Sequence, residues 1–252
     1  MHSILLIFGS GLLAGTMNAL VGGGSFVTLP ALISVGLPSV LANTSSTVGL
    51  FPGTAASAWA YREGLGPVGG VTLRTLLLVT SAGGAMGALL LLWTSSKTFD
   101  FLLPWLLLIA TLTLTFGRQL GDWLRRHGRI SPAVVVAIQG MLGIYGGYFG
   151  GAVGIMMVAL WGLIESRDIK SLNAPRTLLV TSANAVAVLI FIAAQAVYWR
   201  ETLALLAGAV LGGYFGALIG KRAPSRVIRA ATLLVAGSIT AVFFARAYGF
   251  GR

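Results

Sequence analysis

The stretch Gly22-Gly23-Gly24-Ser25-Phe26-Val27-Thr28-Leu29-Pro30 interrupts an apolar run with three contiguous glycines and then resumes it. A second interruption, Gly150-Gly151-Ala152-Val153-Gly154, does the same later in the chain. Gly24 and Gly154 are 130 residues apart, and at that offset Asn43 aligns with Asn173 and Thr47 with Thr177. The chain therefore reads as a duplication. In a membrane protein, paired glycine-broken hydrophobic segments at matching positions of two halves point to a substrate site near the bilayer midplane.

Composition supplies the membrane. Of 252 residues, 56% are hydrophobic and 9% charged, against about 25% charged in soluble domains. Apolar stretches that span a hydrocarbon core of about 30 Å, or nearly so, fall roughly at 3–21, 42–61, 70–93, 99–117, 132–149, 173–198, 201–220 and 226–245. Shorter stretches near 24–36 and 154–164 follow the glycine breaks; at 1.5 Å per residue each reaches only about 19 Å. The first stretch is read as mature protein, because Met1-His2-Ser3 carries no Lys or Arg and no small-residue cleavage site closes the run. With no cysteine there is no disulfide, thiolate metal site or cysteine nucleophile.

The net charge of +11 would suggest nucleic acid in a soluble chain. Here the basic residues sit in short loops between spans, so topology explains them and no nucleic acid partner is expected. Arg118, Arg125, Arg126 and Arg129 crowd the loop joining the halves, and Lys221, Arg222, Arg226 and Arg229 crowd another. Both loops are expected on the cytoplasmic side. If each broken segment enters and returns as a hairpin, Arg62, Arg74, Arg167, Lys170 and Arg176 join them there, and Lys97, Arg200, Arg246 and Arg252 stay outside. Three further crossings per half then invert the second copy and leave both termini outside. Trp59, Tyr61, Trp93, Trp123, Tyr198, Trp199 and Tyr248 lie at span ends, where aromatic rings anchor at the interface.

The expected fold is thus an all-α integral membrane protein of two inverted repeats, each a glycine-broken hairpin plus three transmembrane helices. Residues 1–117 form the first repeat, 118–131 a cytoplasmic linker loop and 132–252 the second repeat. Gly208, Gly212, Gly216 and Gly220 recur every four residues, as do Gly83 and Gly87, and are read as helix-packing devices. Gln139 and Gln195 are read as interhelical hydrogen-bonding residues.

The six acidic residues, Glu63, Asp100, Asp122, Glu165, Asp168 and Glu201, fall in loops or at span ends, and His2 and His127 lie outside the apolar segments. Cation and proton pumps commonly use intramembrane carboxylates or histidines, so the pattern argues against a cation translocator. It also lacks the acid/base clusters of an intramembrane hydrolase. No catalytic residue, metal ligand or cofactor is assigned.

The interior offers hydroxyls, amides and bare backbone instead. Asn18, Ser25 and Thr28 flank the first break and Asn43-Thr44-Ser45-Ser46-Thr47 opens the next span; the second copy has Asn173-Ala174-Pro175-Arg176-Thr177, then Thr181, Ser182 and Asn184. A helix restarting at a glycine points unpaired N–H groups and the positive end of its dipole toward the break, a ready site for an oxyanion. Gly22, Gly23, Gly24 and Ser25, with Gly151, Gly154 and Ile155, are the expected backbone donors. Asn43, Ser46, Thr47, Asn173, Arg176 and Thr177 complete the expected shell. The same residues also suit simple helix capping, contiguous glycines also suit an interhelical turn, and Arg176 also suits a cytoplasmic anchor.

The run from Gly22 to Pro30, followed by Ala42-Asn43-Thr44-Ser45-Ser46-Thr47 and Ser57-Ala58-Trp59-Ala60-Tyr61-Arg62, resembles the sulfite exporter TauE/SafE family of bacterial membrane permeases. Gly146-Gly147-Tyr148-Phe149-Gly150-Gly151-Ala152-Val153-Gly154, with Asn173 downstream, is similar to that family's second repeat. The resemblance implies an inner-membrane carrier for sulfite, sulfonates or other small organic anions. Ala152-Val153 stand where the first copy has glycines, Leu160 where it has Pro30, and Arg176 where it has Ser46. One asymmetric anion is therefore expected, moved by alternating access. An ungated anion channel and a non-transporting scaffold or assembly factor are the alternatives, and a second copy of the chain is a candidate partner.

Overall fold

In hydrocarbon every backbone N–H and C=O needs an internal partner, and a helix supplies them within one segment. The computed structural model describes residues 2–20, 23–125, 131–151, 153–154, 156–157, 161, 172–220 and 225–249. Among them are nine α-helices and no strand beyond an isolated bridge between Val68 and Val71. The helices are α1 (His2–Leu20), α2 (Ser25–Ser34), α3 (Ser39–Ala60), α4 (Leu73–Trp93), α5 (Ser96–Arg125), α6 (Pro132–Phe149), α7 (Asn173–Ala193), α8 (Trp199–Gly220) and α9 (Ser225–Tyr248). A short 3-10 turn covers Arg62–Gly64.

Six of them are long and apolar enough to cross a bilayer: α1, α4, α5 over Ser96–Phe116, α6, α7 over Ala174–Ala193 and α9 over Ala230–Tyr248. This is a multi-pass membrane protein. The short helix α2 has ten residues, or about 15 Å, half a bilayer core. Large apolar side chains such as Leu78, Met141, Leu189 and Leu234 point outward, and Trp59, Trp93 and Trp199 stand exposed at helix ends, as an aromatic belt requires.

Helix α5 continues to Arg125, so 118–125 is helical where a loop was expected, and 126–130 lie outside the described residues. The apolar window ends at Phe116, but helical hydrogen bonds do not need apolar side chains. Hydropathy marks where the lipid ends, not where the helix does. Gln195 also differs from expectation. It is exposed in the turn after α7 with φ 53°, and its amide and that of Ala196 bond back to Ile192 and Phe191. That pattern is a Schellman motif with glutamine in the position usually given to glycine.

The halves interlock. α1 packs along α8 and α6 along α4; α3 meets α8 and α7 meets α4; α3 also meets α7, and α5 meets α9. Both lengthwise pairs are set by glycines. A Cβ on Gly212 would lie 1.9 Å from the Leu12 carbonyl oxygen, and one on Gly147 would lie 2.0 Å from that of Gly84. Gly11, Gly15, Gly208 and Gly216 repeat the contact in α1 and α8, as do Gly83, Gly87 and Gly143 in α4 and α6. The Thr16 hydroxyl adds a cross-helix bond to the Gly212 carbonyl at 3.0 Å. Such backbone approach gives dispersion contact and interhelical bonding where lipid removes the usual hydrophobic drive.

Gly212→Ala is expected to lower thermal stability in detergent by about 1–3 kcal/mol as α1 and α8 are forced apart. Gly237→Ala, whose Cβ would meet nothing within 4 Å, is expected to leave the melting curve within about 0.5 kcal/mol of the parent. Equal melting shifts for the two would show that the close approach contributes nothing.

Candidate functional site

The run Asn43 to Thr47 belongs to the first turns of α3, which starts at Ser39 with Pro38 as its cap residue and no side-chain cap bond. The five residues therefore do not cap the helix. They are buried, from 0% to 7% exposed, and the side chains of Asn43, Thr44, Ser45 and Ser46 bond to other segments. Polar residues at membrane depth are kept where the bundle interior can pair them.

Asn43, Ser46 and Thr47 share one face of α3, being three and four residues apart. Asn43 Nδ2 donates to the Tyr148 carbonyl at 2.9 Å, in the last turn of α6. Thr47 Oγ1 donates to the Asn43 carbonyl at 2.9 Å, and a Cβ on Gly150 would sit 3.1 Å from that hydroxyl. Ser46 Oγ lies 2.5 Å from Thr28 Oγ1, one turn into α2. A single turn of α3 thus touches the helix after the first break and the chain entering the second. Thr44 and Ser45 serve a third segment: Thr44 donates to the Ala196 carbonyl and Ser45 Oγ accepts from the Tyr198 amide at 3.0 Å.

At the first break Gly23 takes φ +87° and Gly24 lies where a Cβ would be 2.7 Å from the Ala14 carbonyl oxygen. The Gly24 amide, expected to be open to an anion, instead donates to Asn18 Oδ1 at 2.7 Å. Asn18 holds that end of α2 in the manner of an N-cap. The Phe26 and Val27 amides bond to the carbonyls of Gly23 and Gly24, both at 3.0 Å. Ser25 is buried, and Gly22 lies outside the described residues.

The second break begins at Gly150, whose φ of 73° ends α6 in the left-handed region. Gly151 is buried beside the Phe149 ring. Residues 153, 154, 156, 157 and 161 are helical. Arg176, half-buried on α7, lies along Gly154, its Cδ 3.5 Å from where a Cβ would be. Thr177 donates to the Ala174 carbonyl at 3.1 Å, within its own helix. Ile155 and the side chain of Asn173 lie outside the described residues.

A second buried network supports this break. Gln139 on α6 donates to Thr80 Oγ1 at 2.8 Å on α4 and accepts from Trp161 Nε1 at 3.2 Å. It is the interhelical residue expected, whereas the participation of Trp161 was not expected. A tryptophan in an apolar run looks like any other core residue until its N–H acquires a partner.

Two buried side-chain atoms have no hydrogen-bond partner among the described residues, Asn43 Oδ1 and Thr202 Oγ1. An unmet buried acceptor costs about 1–3 kcal/mol, and such atoms ask for an explanation. Among the described residues, Arg176 lies against Gly154 in the second break, and Asn43 Oδ1, beside the end of α6 that leads into it, is an unused acceptor.

With that arrangement in view, the sequence profile of the sulfite exporter TauE/SafE family matches residues 7–243. The chain belongs to that family. Relatives include a probable membrane transporter protein, ORF9, of Sinorhizobium sp., 29% identical over 88% of this chain and 83% of its own. A probable membrane transporter protein of Haemophilus influenzae is 25% identical over 94% of this chain and 93% of its own. The probable membrane transporter protein YfcA of Escherichia coli K12 is 23% identical over 97% and 90%. No solved structure matches.

Gln139→Leu leaves Trp161 Nε1 without its acceptor and Thr80 without its donor, and is expected to cost about 1–3 kcal/mol of stability. Thermal melting of the purified variant checks this, and an unchanged midpoint would mean that the network carries no net stability.

Proposed function

We propose that the protein is a carrier for a small oxyanion, such as sulfite or an organosulfonate, working by alternating access across the bacterial inner membrane. One observation supports this above the rest: a single buried turn of α3 contacts both glycine-broken segments, through Ser46 to Thr28 and through Asn43 and Thr47 to Tyr148 and Gly150. Both breaks therefore bear on one locus. With the Gly24 amide engaged by Asn18 and the Thr47 hydroxyl donating to the Asn43 carbonyl, the weight of anion binding in this reading falls on Arg176 and the second break.

The two halves act as inverted repeats in this reading. Support comes from the exchange of helix partners, α1 on α8 matched by α6 on α4, which is the pattern expected when two copies are related by a twofold axis. In this reading the basic residues that follow α5 and α8 in the sequence face the cytoplasm and both termini lie outside. The α3 turn from Asn43 to Thr47 is buried, which favours a carrier whose site opens by movement over an open pore. The inside-negative potential contributes about 2.3 kcal/mol per charge per 100 mV, enough to export a monoanion without ion coupling. The substrate undergoes no chemical step.

Reconstituted protein is expected to show saturable sulfite or sulfonate counterflow. Arg176→Gln, Asn43→Ala and Asn173→Ala should each lower it by about tenfold or more, a loss of about 1.4 kcal/mol per tenfold. Absent flux, or flux indifferent to all three changes, overturns the carrier. Single-channel conductance in place of counterflow replaces it with a channel.

A further inference from the structure

Asn43 stands at the meeting of the two breaks with an oxygen that nothing among the described residues satisfies. Its orientation is fixed by chemistry. Nδ2 lies 2.9 Å from the Tyr148 carbonyl, which can only accept, so turning the amide over would set two acceptors against each other. Nor can the side chain swing into solvent, being 1% exposed. The hydroxyl closest along this face is spent, because Thr47 donates to the Asn43 carbonyl. Thr44 donates to the Ala196 carbonyl, and Ser46 and Thr28 share a bond with each other. Oδ1 is left needing a donor that the α3 turn does not supply.

We infer that the substrate is an anion carrying a hydrogen-bond donor of its own, one O–H or N–H beside its charged oxygens, and that Asn43 Oδ1 accepts that bond. The inference rests on the carrier reading above and narrows its substrate class. Arg176 beside Gly154 attracts the charge, while Oδ1 presents the negative end of an amide dipole. An anion with acceptors alone meets like polarity at Asn43; a protonated oxyanion or a hydroxyl-bearing sulfonate meets complementary polarity. A site built around a hydrogen bond to the solute discriminates strongly against the analogue that lacks it, because the buried protein group is then left unpaired.

The test uses two solutes of equal charge and nearly equal size, ethanesulfonate and 2-hydroxyethanesulfonate, as competitors of labelled sulfite counterflow in liposomes. The hydroxylated anion is expected to compete about tenfold better or more and to raise the melting temperature of the purified protein more at equal concentration. Asn43→Ala is expected to bring the two competitors to within about twofold of each other; should that variant fail to fold, the ratio measured on the unmodified protein decides. Equal competition on the unmodified protein, as a bound water at Oδ1 would give, overturns the donor requirement while sulfite counterflow keeps the carrier reading intact. Loss of sulfite counterflow itself overturns the carrier reading, and this inference with it.

Discussion

Every break in a membrane helix leaves backbone groups that lipid cannot serve, and one polar turn carries much of this fold's answer to that constraint, with Asn18 serving the Gly24 amide. Residues 43 to 47 of α3 hold the end of α6 at Tyr148, the start of α2 through Thr28, and the α7–α8 connection at Ala196 and Tyr198. Each of those places is one where a regular helix stops or begins. Buried polar networks are stabilising only when their members are satisfied, and here nearly all are. The exception, Asn43 Oδ1, is therefore the informative atom.

Around that turn the helices are drawn together by the absence of side chains. Glycines at the α1–α8 and α4–α6 seams let backbone meet backbone, and the close approach binds an early helix to a late one in each case. Each half thus owes its packing to the other. The α4–α6 seam and the α3 turn meet at Tyr148, which Gly87 approaches from α4 and whose carbonyl receives Asn43.

Much of this was legible in the residues. Contiguous glycines announced the breaks, and period-four glycines announced the seams. Asn43, Ser46 and Thr47 were marked as one polar group, and the structure brings them to one face. What stayed hidden depended on which partner each polar group takes. Asn18 looked like another candidate for the solute, but its oxygen is used by Gly24 only six residues on. A polar residue near a bare helix end satisfies it as readily as a ligand would, and composition cannot say which. Trp161 and the left-handed Gln195 were hidden for a related reason, since a lone N–H partner and a single positive φ leave no periodic trace.

The polar turn that organises the finished protein is a burden while the chain is being made. Alone in hydrocarbon, α3 would carry an amide and four hydroxyls that its own backbone only partly satisfies, and its hydropathy sets it apart from the six helices apolar enough to span unaided. The carbonyls that receive Asn43 and Thr44 lie 105 and 152 residues later in the sequence. The polar turn of α3 therefore reaches its final hydrogen bonds only once much of the second half has been made, so the same few atoms that hold the mature bundle together are the last of α3 to be satisfied.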